Sequence, residues 1–287
     1  MTGPVTQPLA GVVLAGVVLA AGAGTRLHPL TLLRPKALCP VGGRPLVDLA
    51  LDRLAPATGA GTDRLAVNAH HHAEQVVAHC RDRATVSVER GEALGTAGAL
   101  GALREWIAGR DVLLTNADAY LPDGLAGLVP GWDGERCRLL CVPDAERGDF
   151  GDLRYVGACL LPWRAVRDLR PEPSGLYEVL WRDAAARGRL DLVVAEDLAR
   201  PGDRPAVAID CGTIEDYLQA NLHASGGRSV VGAGAVIEGT IERCVVWDGA
   251  WVGPDEHLVD AVRAGTKQQP VTAVATPTRS FPGVGLC

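Results

Sequence analysis

The stretch from Leu19 to Pro45, LAAGAGTRLHPLTLLRPKALCPVGGRP, constrains this chain more than any other. It follows an apolar run, Gly16 to Ala21, that reads as a buried first strand. Gly22, Ala23, Gly24 and Thr25 then form a small-residue turn, where the backbone can approach a ligand and aim several N–H groups at it. Arg26 and Lys36 flank the turn, and prolines 29, 35 and 40 stiffen the loop between them. Main-chain amides and two fixed cations suit an anionic oligophosphate. Gly-x-Gly alone is equally an ordinary turn after a strand. The dinucleotide fingerprint fails because Leu27 stands where its third glycine belongs, and the ATPase phosphate loop fails because no Gly-Lys-Ser/Thr occurs here.

The whole stretch closely resembles the signature of the sugar nucleotidyltransferases, the NDP-sugar pyrophosphorylases: LAAG-x-GTRL-x-PLT, then PK-x-L-x-PV and a later proline. The resemblance implies transfer of a nucleotidyl group from an NTP to a sugar 1-phosphate, with Mg²⁺ as cofactor. It assigns Leu19, Ala20, Ala21, Gly22, Gly24 and Thr25 to the nucleotide, and Arg26 and Lys36 to catalysis.

Composition fits that expectation. A chain of 287 residues is one large or two modest domains, and 47% hydrophobic with 22% charged residues is ordinary for a soluble protein. The net charge of −6 offers no basic field for a nucleic acid. Lys36 and Lys267 are the only lysines, so a lysine inside the signature stands out. The eight cysteines show no Cys-x-x-Cys pair and no zinc spacing, which points to a reduced, cytoplasmic protein. The apolar run Leu9–Ala23 is too short and Gly-rich to span a bilayer, so no membrane partner is expected. It repeats Gly-Val-Val-Leu-Ala at 11–15 and 16–20; only the second copy leads into the turn, so residues 1–15 read as an extension.

Beyond the signature, apolar spacing predicts a helix over 46–54, a strand over 64–68, a helix over 73–81 and a strand over 85–89. A Gly-rich loop, 91–98, opens a helix to about Ile107, and the strand 111–115 ends in Asn116-Ala117-Asp118. Such alternation predicts a doubly wound, mostly parallel α/β sheet, a Rossmann-like nucleotidyltransferase domain over 16–226. Ligands of such sheets gather beyond the carboxyl ends of the strands, where the glycine turn, the 91–98 loop and Asp118 all project.

Asp118, at a strand tip beside a phosphate loop, is placed to hold Mg²⁺; the plainer alternative is a turn or cap aspartate before Pro122. In the family a strand LL-x-x-x-D carries a metal ligand, which matches Leu113 to Asp118, and a D-x-G-T motif carries the second, which matches Asp210 to Thr213. Alone, Asp210 reads as a cap of the following helix. The 91–98 loop resembles the EPLGTAG segment of mannose-1-phosphate guanylyltransferases, which implies GTP and mannose 1-phosphate. Glu92, Gly95 and Thr96 would then meet the base, with Glu92 or Glu89 accepting from guanine. Thymidylyl or uridylyl transfer to glucose 1-phosphate is the alternative. His70, His71 and His72 read as loop residues, since consecutive side chains share no face, and Asn68 as structural.

The family's Glu-Lys-Pro motif, whose lysine holds the sugar phosphate, is missing between the strands 136–142 and 153–161. Tyr155-Val156-Gly157 still resembles the sugar-side strand. Asn116, Arg154, Val156 and Gly157 are the candidates for the sugar phosphate, with Arg147 or Arg154 replacing the lysine, though arginine is not an equivalent point charge. The missing motif keeps open a non-catalytic, nucleotide-sugar-binding homologue. Residues 227–263 carry small and β-branched residues about every six positions, a fragment of left-handed β-helix with about two coils. In the family such coils often make subunit contacts, so a homo-oligomer is expected. The Pro-, Thr- and Gly-rich segment 264–287 reads as a loosely ordered tail.

Overall fold

A computed structural model describes residues 13–125, 127–198 and 206–275. The first strand, β1 (Leu14–Leu19), is buried along nearly all its length and is flanked by β4 (Leu65–Ala69) and β6 (Asp111–Asn116), both parallel to it. It starts two residues before the expected boundary, so Leu14 and Ala15 of the first tandem copy belong to the core; residues 1–12 lie outside the described part. Between β1 and β4 come three single 3-10 turns, a small hairpin of β2 (Pro40–Val41) and β3 (Arg44–Pro45), and α1 (Leu46–Thr58). Next follow α2 (Ala73–Cys80), β5 (Thr85–Val88) beside β4, and α3 (Gly95–Ile107). Beyond β6 run β7 (Ala119–Tyr120), β8 (Cys137–Pro143) and β9 (Leu153–Leu161). After α4 (Trp163–Val166), a π-helical turn Tyr177–Trp181 and α5 (Arg182–Ala186) comes β10 (Leu190–Val194). β11 (Ile209–Asp210) then leads into α6 (Ile214–Ser225).

The sheet order is β10-β8-β9-β6-β1-β4-β5. Only β9 runs against its neighbours, pairing antiparallel with both β6 and β8. The expected mostly parallel α/β sheet is therefore present, and one apolar cluster covers each face.

A third apolar cluster joins the sheet domain to the C-terminal part. There, short strands stack in three parallel columns. The first holds β12 (Val230–Val231), β15 (Val245–Val246) and β18 (Ala261–Gly265); the second β13 (Val236–Ile237) and β16 (Trp251–Val252); the third β14 (Thr240–Glu242) and β17 (His257–Val259). Two turns of coil result. The tail reading is corrected for residues 264–275. β18 runs on to Gly265, and β19 (Pro270–Val274) folds back on it, antiparallel, from Gly265↔Pro270 to Ala261↔Val274. Gly265 takes the left-handed conformation at φ +80° that the turn requires. Residues 276–287 lie outside the described part. Among the described residues no helix is long and apolar enough to cross a membrane.

Candidate active site

The carboxyl end of β1 sits between two asparagines: Leu19 is in register with Asn68 of β4 and Asn116 of β6. Asn68, buried as the structural residue anticipated, accepts from the Ala20 amide at 2.6 Å, and the Leu19 carbonyl accepts from the Ala117 amide at 2.9 Å. These bonds pin the start of the glycine turn to both flanking strands. Gly22, Ala23 and Thr25 are exposed above them, with Ala21 partly so. Gly24 adopts φ +64°, and a Cβ there would lie 2.9 Å from Thr31 Cγ2 and 3.1 Å from Lys36 Cβ. Glycine at 24 thus lets the turn close onto the lysine loop.

Lys36 is the centre of the site. Its ammonium contacts Asp118 Oδ2 and lies 3.7 Å from Asp210 Oδ1, with the side chain only 10% exposed. Arg26 reaches Asp210 from the solvent side at 3.6 Å, across Gly212, where a Cβ would stand 2.5 Å from the guanidinium. A two-residue ladder brings the carboxylates together. β7 and β11 pair antiparallel, with Asp210 opposite Ala119 and the Cys211 amide donating to the Asp118 carbonyl at 2.9 Å. Thr213, not Asp210, caps α6 by accepting from the Asp216 amide. That leaves the Asp210 side chain to the site.

Burial, and then the neighbouring Asp118, push the Asp210 carboxyl above the usual carboxylate range, against the pull of Lys36 and Arg26. Two facing carboxylates of hard oxygen donors suit Mg²⁺, which binds through one or two protein carboxylates and takes its remaining ligands from phosphates and water. Among the described residues no group of three or more His, Cys, Asp or Glu side chains is arranged for a metal.

One residue of this centre escapes sequence reading. Arg53 on α1 is buried beneath the Asp118 loop and donates to the Ala119 carbonyl at 2.8 Å and to Thr115 Oγ1 at 3.1 Å, with the Asn116 carbonyl at 3.4 Å. It clasps both ends of the Asn116–Asp118 segment. Burial lowers its guanidinium to about 10, with Cys211 and Asp118 working against the drop, so it stays charged at neutral pH. The signal was present: residue 53 falls in the apolar stripe of Leu46 and Ala50, where an exposed arginine has no place.

Other assignments change. Glu89 is buried and committed, accepting from Asn68 Nδ2 at 2.7 Å and from the Leu94 amide at 2.9 Å, so it holds the 91–98 loop instead of a base. Glu92 is exposed on that loop. Gly95 and Thr96 face the 170–176 segment: a Cβ at Gly95 would lie 2.6 Å from the Ser174 carbonyl, and Thr96 Oγ1 accepts from the Leu176 amide at 2.8 Å. Gly98 and Gly101 continue this face against the carbonyls of Glu172 and Arg170. The glycines admit a neighbouring backbone.

Gly157 (φ +80°) directs its missing Cβ at Ala119 and Asn116, each 3.1 Å away, which brings Asn116 and Gly157 together; Val156 is half-buried beside them. Arg147 and Arg154 both pair with Asp144 at 3.1 Å, so neither stands as a free replacement for the missing lysine. His70 and His71 contact the Glu89 and Thr31 carbonyls, as loop residues. Cys39, Cys80, Cys137, Cys141, Cys159, Cys211 and Cys244 are free and buried, and burial pushes the Cys39 thiol up to about 12. Thiols so placed are inert.

Comparison with known proteins adds to this geometry. Residues 15–137 match the family model described as nucleotidyl transferase. The chain is 33% identical over 217 residues to an N-acetylmuramate alpha-1-phosphate uridylyltransferase of Caulobacter vibrioides, covering 63% of this chain and 88% of that protein. It is 35% identical over 112 residues to a Sulfolobus acidocaldarius protein provisionally named a mannose-1-phosphate guanyltransferase, but covers only 30% of it and 37% of this chain. In fold it resembles a Thermus thermophilus protein described as a mannose-1-phosphate geranyltransferase, with a TM-score of 0.64, 18% identity, and 91% and 94% of the two chains covered.

Proposed function

Because the chain belongs to the nucleotidyl transferase family, with a relative matched along most of its length, we propose that it joins UTP to an N-acylated amino-sugar 1-phosphate and releases pyrophosphate. The coarser activity, sugar-1-phosphate nucleotidyl transfer, is that of its relatives. The observation that carries the reading is the convergence of Arg26, Lys36, Asp118 and Asp210 at the carboxyl end of β1.

The acceptor phosphate is already an anion, so no general base is needed. One of its oxygens attacks the α-phosphorus in line; the new P–O bond forms as the bond to the β-phosphate oxygen breaks, and pyrophosphate leaves on the far side. Arg26 and the Gly22–Thr25 amides would bind the β- and γ-phosphates, and Lys36 would neutralise charge between the α-phosphate and the acceptor. Asp118 and Asp210 would hold Mg²⁺, which supplies charge neutralisation at the phosphates when bound. Asn116 and Gly157 line the acceptor side.

Two considerations favour uridine. The uridylyl relative is matched along nearly its whole length, and of the two carboxylates suited to guanine N1 and N2, the buried Glu89 is already committed, which leaves the exposed Glu92. Guanylyl transfer to mannose 1-phosphate is the second reading, on the likeness of the 91–98 loop. The C-terminal columns are read as left-handed coil supporting a homo-oligomer of a cytoplasmic enzyme. Pyrophosphate release over UTP, GTP, dTTP and ATP, each with N-acetylmuramate, glucose and mannose 1-phosphates, tests the assignment. Turnover confined to GTP and mannose 1-phosphate would replace it with the second reading. NDP-sugar binding with no turnover anywhere would make the protein a regulatory homologue.

A further inference from the structure

Lys36 lies in a single 3-10 turn, Lys36–Leu38, with no side-chain cap. One such turn does not hold itself in place. Ala37 and Leu38 pack into one of the sheet's own apolar clusters, and further support comes from outside the sheet. The Pro40 carbonyl accepts from the Tyr217 hydroxyl and from Asn221 Nδ2, at 3.2 Å for the latter, and the Gly42 amide donates to Asn221 Oδ1 at 3.0 Å. The Tyr217 oxygen in turn accepts from Trp247 Nε1 at 3.1 Å. Trp247 lies between β15 and β16 of the coil, is 2% exposed, and carries the Arg34 guanidinium over its ring, 4.2 Å from the centroid. One indole therefore grips the lysine segment at both ends, directly at Arg34 and through Tyr217 at Pro40. Tyr217 and Asn221 ride on α6, the helix that follows Asp210. A buried polar chain of this kind, with its members satisfied, specifies one arrangement.

We propose that Trp247 is a positioning residue for catalysis: the two-turn coil is a brace that fixes Lys36 between Asp118 and Asp210. The catalytic half of the inference rests on the nucleotidyl-transfer reading; the structural half does not.

The composition of the chain supplies the test. Lysine labelled with ¹³C and ¹⁵N reports two residues, and the second, Lys267, lies over Trp251 at 4.5 Å and so registers whether the coil is folded. Trp247→Phe keeps an aromatic ring and deletes the donor. Tyr217→Phe deletes the hydroxyl from the other side. Each variant should shift or broaden the Lys36 resonances and leave those of Lys267 in place. Each should also lower kcat about 10-fold, within the ~10²-fold that a 1 Å misplacement can cost, and should lose that effect in a Lys36→Ala background. Unmoved Lys36 resonances in both variants overturn the brace, whether or not the protein turns over any substrate. An equal fractional loss with and without Lys36 overturns the catalytic role. A wild-type protein inactive on every substrate pair fails the functional reading alone.

Discussion

The main-chain amide of Cys211 donates to the carbonyl of Asp118, at 2.9 Å. This bond extends the β7–β11 ladder to the residues that carry the two carboxylates, so neither can drift from the other without breaking main-chain pairing. Side-chain position here is set by backbone, and substitutions should change the chemistry before they change the shape.

Asp118→Asn and Arg26→Ala should therefore each lower the rate of pyrophosphate release by about 10²–10³, the usual cost of one preorganised electrostatic contact. The exposed Arg26 should be replaced with little change in thermal midpoint, whereas Asp118→Asn, which takes the carboxylate from the buried Lys36, should also lower it. Steady-state rates beside a melting curve check both halves. Near-wild-type turnover in the two variants removes the proposed mechanism.

Asp210 makes stability depend on pH in a defined sense. Its folded carboxyl is raised above the ordinary value, so the folded chain holds that proton more tightly than the unfolded chain. This contribution to stability is present at low pH and is lost as pH rises through the ordinary value towards the raised one. Mg²⁺ should relieve the cost, so its stabilisation should grow with pH across the same window and vanish in Asp210→Asn. Melting curves with and without Mg²⁺ between about pH 4 and 7 decide it; equal Mg²⁺ effects in the variant count against Asp210 as a ligand.

Arg53→Met removes the donor from three oxygens beneath the Asp118 loop. At roughly 1–3 kcal/mol for a deserted buried acceptor, we expect a loss of about 3 kcal/mol in urea unfolding. Arg53→Lys, keeping charge but not the fork, should recover part of that stability while turnover stays depressed. Full activity in the lysine variant would reduce Arg53 to a core cation.

Two glycines should respond oppositely to alanine. At Gly98 a Cβ would lie 2.2 Å from the Glu172 carbonyl, so Gly98→Ala should destabilise by about 1–3 kcal/mol. At Gly22 a Cβ meets nothing within 4 Å, so Gly22→Ala should melt like the wild type. Its cost should fall on the phosphates instead, as a roughly tenfold rise in KM for the nucleotide, about 1.4 kcal/mol. An unchanged KM would detach the turn from the triphosphate.

The sheet was legible because its strands are buried apolar runs separated by helical spacing, and β6 came with its acidic tip in place. Lys36, Asp118 and Asp210 were legible as residue types in a pattern; their meeting was not, since it depends on a ladder between two-residue strands that no periodicity announces. Arg53 was hidden by the habit of placing arginine on the wet side of a helix, although its stripe says otherwise. Gly95, Gly98 and Gly101 recur every three residues along α3, a spacing that signals close backbone packing more than contact with a base. The hairpin of β18 and β19 was missed because Pro, Thr and Gly weigh against order, while pairing partners lie beyond any local window.

That hairpin sets the size of the coil. A stack of parallel rungs has no natural length, because each rung presents the next with the same open ladder. Strand β19 runs the other way and occupies the exposed side of β18, so a further rung would find its donors and acceptors already taken. The solenoid is closed after two turns by its own chain, and any lengthening of it would have to be inserted ahead of Ala261.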